Sequence, residues 1–166
     1  LGLGYLTEDR KDGLVPRLPI PANITLASLK KMCRLGFLRR DEERMSAEKY
    51  VEELNIHTPR LSQRIEFLSG GNQQKVALAK WLCSQAKIMI FDEPTRGIDV
   101  GAKVEVFRLM NDLAKEGVGI IMISSEMPEV LAMADRILVM AGGSFVAEHA
   151  GGQASQEDLM RDAVVR

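Results

Sequence analysis

Two adjacent carboxylates, Asp92 and Glu93, close the apolar run IMIFDEP, Ile88 to Pro94. A short continuous apolar run is the pattern of a strand in a parallel sheet, and its carboxyl end is where α/β folds bind ligands. There Asp92 can hold Mg²⁺ through its water shell, because that ion keeps most of its waters and takes only one or two carboxylates. Glu93, next in line, can orient or deprotonate the water that attacks a γ-phosphate. An acidic pair that simply caps the following turn has the same residues. A second candidate is LSGGNQQKVALAKWL, in which Ser69, Gly70 and Gly71 precede a helix expected from Asn72. One hydroxyl and several unpaired N–H groups then converge on one spot, reinforced by the positive end of the helix dipole. An ordinary N-cap with a flexible hinge gives the same string. The third is ISSEMPE, Ile123 to Glu129, where Ser125 is either a phosphate contact or a helix-capping serine.

The elements that must position these residues are legible around them. Val118 to Ile123 (VGIIMI) is a second apolar run, so that both runs read as strands buried on two faces. Between them Val106, Leu109, Met110 and Leu113 fall at helical spacing, Asp99 can cap the start and Gly117 can end it. The helix from Asn72 carries Val76, Ala79, Cys83 and Ala86 on one stripe, which makes the order α-β-α-β. Asn23 to Asn55 carries no strand signal and reads as two helices separated by the charged RRDEER. After the second strand, MPEVLAMA reads as a short helix, DRILVMAGGSFVAEH as a hairpin turning at Gly142-Gly143, and SQEDLMRDAVV as a helix capped by Ser155 with Asp158. The expected fold is α/β, a parallel sheet with a small helical subdomain.

A chain of 166 residues is enough for one domain with a real core. Its net charge of -1 supplies no electrostatic reason for a nucleic-acid or membrane-surface partner. Cys33 and Cys83 are lone cysteines, which point to a reduced setting rather than a disulfide framework. No apolar run approaches the ~20 residues that span a bilayer. LGLGYLTEDRK opens on a strand-like segment without an initiator Met, so residue 1 reads as a cut point.

Taken together, LSGGNQQKV, a helix, IMIFDEPTRGID and a strand ending in SSE resemble the ATP-binding cassette ATPases. The resemblance is closest to the second nucleotide-binding half of the fused monosaccharide importers of ribose, galactose, xylose and arabinose type. It runs from GYLTEDRKDGLV through SQEDLM. It implies one nucleotide-binding domain, with a helical subdomain at about 23–68, the functional motifs at 68–129 and a carboxy-terminal hairpin and helix at 135–166. It implies that LSGG is the signature motif with Asn72 as its fifth residue, that Asp92-Glu93 closes the Walker B strand, that Asp99 lies in the D-loop and that Ser125 is the switch residue. Glu8 in YLTED stands where most members have Gln, and Ser125 where they have His; these variants imply a site in this half with weak or no turnover. The implied cofactors are ATP and Mg²⁺.

Within the 166 residues there is no G-x-x-x-x-G-K-[ST] loop. In the near miss from Gly97 to Val104, Ala102 replaces the second Gly and Val104 offers no hydroxyl. In this family two cassettes close head to tail, with each ATP between the P-loop of one and the signature of the other. The implied partners are therefore a first nucleotide-binding half with an intact P-loop, a sugar permease contacted by the helical segment and, indirectly, a periplasmic sugar-binding protein, at the cytoplasmic face of the plasma membrane and without nucleic acid. The chain by itself is expected to be inactive. A catalytically inactive interaction module, or a fragment of a DNA-repair or chromosome ATPase, are the alternatives; the latter would carry long heptad repeats, and none lies between Leu14 and Leu68.

Overall fold

The computed structural model describes residues 2–98 and 100–164 and divides into two compact units, one through Ile121 and one from Met122. In the first, β1 (Leu3–Leu6) pairs in parallel with β4 (Ile88–Asp92), Leu3 opposite Ile88 and Leu6 opposite Phe91. The sheet order is β1-β4-β5, with β5 spanning Gly119–Ile123. The register places Gly4, Leu6, Met89 and Phe91 on one face, all buried, against α5 (Gly70–Ser84) and α6 (Val100–Lys115). Val76, Ala79 and Cys83 of α5 and Val106, Met110 and Leu113 of α6 are buried there, as their spacing predicts.

Burial of the strands on both faces does not hold. On the opposite face Leu3 is 49% and Ile88 44% exposed, and β5 has no fully buried residue. A continuous apolar run does not distinguish a strand covered twice from one covered once, because both helices settle on the same side.

The helical segment also differs from expectation. After a helical turn, α1 (Arg10–Gly13), come α2 (Ile20–Thr25), a 3₁₀ turn, and α3 (Leu29–Met32). Then β2 (Cys33–Arg34) and β3 (Phe37–Leu38) form a small antiparallel hairpin, and α4 runs from Arg40 to Glu53. RRDEER does not separate two helices; its last five residues open α4. Asp41, Glu42 and Glu43 sit in the first turn, where the dipole favours anions, and Arg44–Glu48 (2.8 Å) and Lys49–Glu53 (3.6 Å) are i,i+4 pairs that support a polar helix. Asn23, fully buried on α2, ties the segment down: its amide accepts from Val15 N (2.7 Å) and donates to the carbonyls of Val15, Leu18 and Pro19.

Helix α6 ends as its sequence predicts. Gly117 N donates to Ala114 O and Val118 N to Leu113 O, a Schellman closure with Gly117 at φ 87°. The second unit follows its signals equally well. Helix α7 (Met127–Met133), strands β6 (Arg136–Ala141) and β7 (Ser144–Ala150), and α8 (Gln156–Val164) surround a core of Ile137, Val139 and Leu159. The hairpin turns at Gly142 and Gly143, whose φ values of 57° and 80° are those of a two-residue primed turn. Ser155 Oγ accepts from Asp158 N (3.2 Å) and Asp158 Oδ2 accepts from Ser155 N (3.1 Å), the reciprocal cap expected from the sequence.

Candidate functional site

Strand β4 carries Asp92 to the carboxyl end of the sheet, on the same side as Tyr5 and Ile90. The Tyr5 hydroxyl donates to Asp92 Oδ2 at 2.7 Å, across 87 residues of sequence. This bond, then partial desolvation and the negative charge of Asp92, raise the pKa of the Tyr5 phenol above its ordinary value. Because the neutral phenol is the bonded form, its contribution to stability is complete below about pH 10 and is lost as pH rises through the raised value. Asp92→Asn is expected to move the Tyr5 titration back toward the ordinary phenol. The check is phenolate absorbance in a Tyr50→Phe background, since burial pushes Tyr50 up to about 12. An unchanged Tyr5 midpoint would show that the bond does not form in solution.

Glu93 follows with φ 46°, a left-handed conformation that is uncommon outside glycine. Its carbonyl accepts from Arg96 N (3.1 Å), closing a tight turn over buried Pro94 and Thr95. Arg96 forms an ion pair with Glu8, which follows β1. Glu8, Asp92 and Glu93 are thus brought to one end of the paired strands. Tyr5 and Arg96, the residues that join them, were not singled out from the sequence, since only the strand register brings them together.

Asp92 fits a divalent ion held largely by water. Its Oδ1 makes no hydrogen bond among the described residues, and a carboxylate oxygen is the hard donor that Mg²⁺ takes. Among the described residues no cluster of three His, Cys, Asp or Glu could cage a metal.

Ser69, Gly70, Gly71 and Asn72 gather at the start of α5. The helix begins at Gly70 rather than Asn72, with Ser69 as its N-cap. Ser69 Oγ accepts from Asn72 N (3.4 Å) and Asn72 Nδ2 (3.0 Å), while Asn72 Oδ1 accepts from His57 N (2.9 Å). The hydroxyl and the amide brace one another, and Gly70 and Gly71 occupy the first turn, whose N–H groups have no acceptor within a helix. A Cβ built on Gly71 meets no atom within 4 Å. The fold of the chain therefore places no steric demand for glycine there. One turn on, buried Gln74 donates to Pro94 O (3.2 Å), linking α5 to the turn after Asp92 and Glu93. That link was also missed from sequence.

Asp99, both as D-loop residue and as cap of α6, lies outside the described residues. Ser125 follows β5 in the second unit and is exposed. The cap of α7 is Glu126, without a side-chain cap bond, and it is Ser124 Oγ that accepts from Glu126 N (3.1 Å). In the stretch from Gly97 to Val104, helix α6 begins at Val100. Among the described residues no helix is long and apolar enough to cross a membrane.

Comparisons with known proteins agree with this geometry. The ATP-binding cassette MJ0796, in a dimeric post-hydrolysis structure bound to ADP and Pi, superposes with a TM-score of 0.75 over 89% of this chain and 62% of its own; at 21% identity the likeness is one of fold. The ribose import ATP-binding protein RbsA 1 of Rubrobacter xylanophilus is 51% identical over 162 residues, which cover 96% of this chain and 32% of that protein. The xylose import ATP-binding protein XylG of Thermoanaerobacter pseudethanolicus is 51% identical over 160 residues, with the same coverage of 96% and 32%. This chain spans about a third of the length of the curated relatives it matches. The ABC transporter family matches residues 2–96, from β1 through the turn after β4. With that match over more than half of its length, this chain belongs to the ABC transporter family.

Proposed function

We propose that this chain is a segment of the ATP-binding and ATP-hydrolysing subunit of a monosaccharide importer, and that it supplies its signature in trans to an ATP held by another nucleotide-binding half. The observation that carries this reading is the empty space around Gly71 at the head of a 15-residue helix. A glycine with no steric duty inside the chain suits a position that something outside must approach closely. Ser69, Gly70, Gly71 and Asn72 would face the γ-phosphate of the ATP on the partner's P-loop. ATP binding then becomes closure of the two halves, which the helical segment passes to a sugar permease at the cytoplasmic face of the membrane; a periplasmic sugar-binding protein acts indirectly through that permease. This half's own site, with Asp92 for Mg²⁺, Glu93 at the attacking water, Asp99 in the D-loop and the variant residues Glu8 and Ser125, turns over weakly or not at all. The chain alone is inactive because no P-loop holds the rest of the nucleotide. The names of the relatives, ribose and xylose importers, support the substrate class.

ATP-driven association tests the trans role. When the chain is mixed with a P-loop-bearing first half made hydrolysis-deficient, Mg-ATP is expected to shift both to a heavier species in sedimentation velocity, and ADP is expected not to. Equal sedimentation with and without ATP would remove the proposal.

A further inference from the structure

We propose that the β2–β3 hairpin is a contact for an anionic lipid surface. Its segment, LKKMCRLGFLRR from Leu29 to Arg40, holds Lys30, Lys31, Arg34, Arg39 and Arg40 and no acidic residue. At its tip Leu35 is 91% and Phe37 79% exposed. Leu35 has φ 51° and Gly36 φ 83°, so the turn is a two-residue primed turn in which Asn-Gly or Gly-Gly is the locally favoured pair. A leucine held in a left-handed conformation with its side chain in water serves neither the turn nor the core.

The hairpin is braced from behind. Lys31 Nζ donates to Ser84 O and Gln85 Oε1, each at 3.2 Å, at the end of α5. Arg39 donates to Met32 O through its backbone N (3.0 Å) and to Lys31 O through its side chain (3.0 Å). Lys30, Arg34 and Arg40 are exposed and make no ion pair among the described residues. Of the acids that begin α4, Glu42 pairs with Arg39 and Glu43 accepts from Thr25 Oγ1 (3.2 Å). What projects is an apolar pair on a segment whose exposed Lys30, Arg34 and Arg40 outnumber Asp41, the one exposed acid next to them without an ion pair among the described residues. Apolar side chains that enter the acyl boundary while Lys and Arg remain among anionic headgroups are the chemistry of interfacial binding. The charge, five cations in twelve residues, selects an anionic surface over a neutral one.

The test uses the whole chain and protein-free vesicles, one set of phosphatidylcholine and one with about a third phosphatidylglycerol, compared by co-sedimentation. Binding is expected to the anionic set alone and to fade as salt rises from about 0.1 to about 0.5 M. Leu35→Ser with Phe37→Ser, and separately Lys30→Glu with Arg34→Glu, are each expected to lower binding about tenfold or more with an unchanged thermal midpoint, since all four positions are exposed. Ile88→Ser, on the open sheet face, is expected to leave binding as it was. If the apolar pair unfolds the chain, the charge-reversed pair decides. No binding to either set, equal binding to neutral vesicles, loss only in Ile88→Ser, or hairpin variants that bind like the parent would each overturn the proposal. No nucleotide enters the experiment, so its failure leaves the ATP reading untouched.

Discussion

Gly71→Asp, placed in a full-length transporter that contains this segment, is expected to reduce sugar-stimulated ATP hydrolysis at least ~10²–10³-fold. The chain itself should tolerate the change, because the space around Gly71 is open and Asp is accepted in the first turn of a helix. The loss therefore belongs to closure. A carboxylate would stand where backbone donors meet the γ-phosphate held by the other half, so that a preorganised donor is displaced and like charge is added. Ser125→Ala changes a switch position of this half's own site, which the proposal holds to be weak or inactive, and most of the activity should remain. The two variants must differ strongly, in that order, with equal thermal midpoints. If Ser125→Ala silences hydrolysis while Gly71→Asp is tolerated, this half runs its own chemistry and the roles proposed for the two motifs are exchanged.

Much of the site was legible because its chemistry depends on local order along the chain. The apolar run into Asp92 and Glu93 gave a strand end, and Ser69 ahead of two glycines gave a helix start. Gly117, the Gly142-Gly143 pair and the Ser155–Asp158 box predicted their turns and cap because each acts on its nearest neighbours. What stayed hidden depends on register or on conflict between local preferences. The Tyr5–Asp92 bond and the Glu8–Arg96 pair exist only once β1 and β4 are aligned. The β2–β3 hairpin has two-residue strands and a leucine in a glycine-like conformation, so neither periodicity nor turn residues announce it. RRDEER looked like an interruption, yet its acids sit at the positive end of α4. The start of α5 moved from Asn72 to Gly70 because the serine cap outweighs the low helix propensity of glycine. The open face of the sheet was invisible for a different reason, since apolar character states what a side chain would prefer and not whether anything is there to cover it.

On the proposed reading this chain holds the approaching half of a nucleotide site and not the binding half. Backbone donors at the head of α5 and one carboxylate at the end of β4 can recognise a γ-phosphate and its Mg²⁺, but the loop and Lys that grip the β- and γ-phosphates are not among the 166 residues. Without them most of the affinity for the nucleotide is absent. Isothermal calorimetry of the chain alone with Mg-ATP is therefore expected to give no saturable heat, or a dissociation constant weaker than ~1 mM, near 4 kcal/mol of binding. A saturable isotherm with a dissociation constant near ~1 μM, worth about 8 kcal/mol, would mean that the chain carries a complete site of its own and would contradict the account.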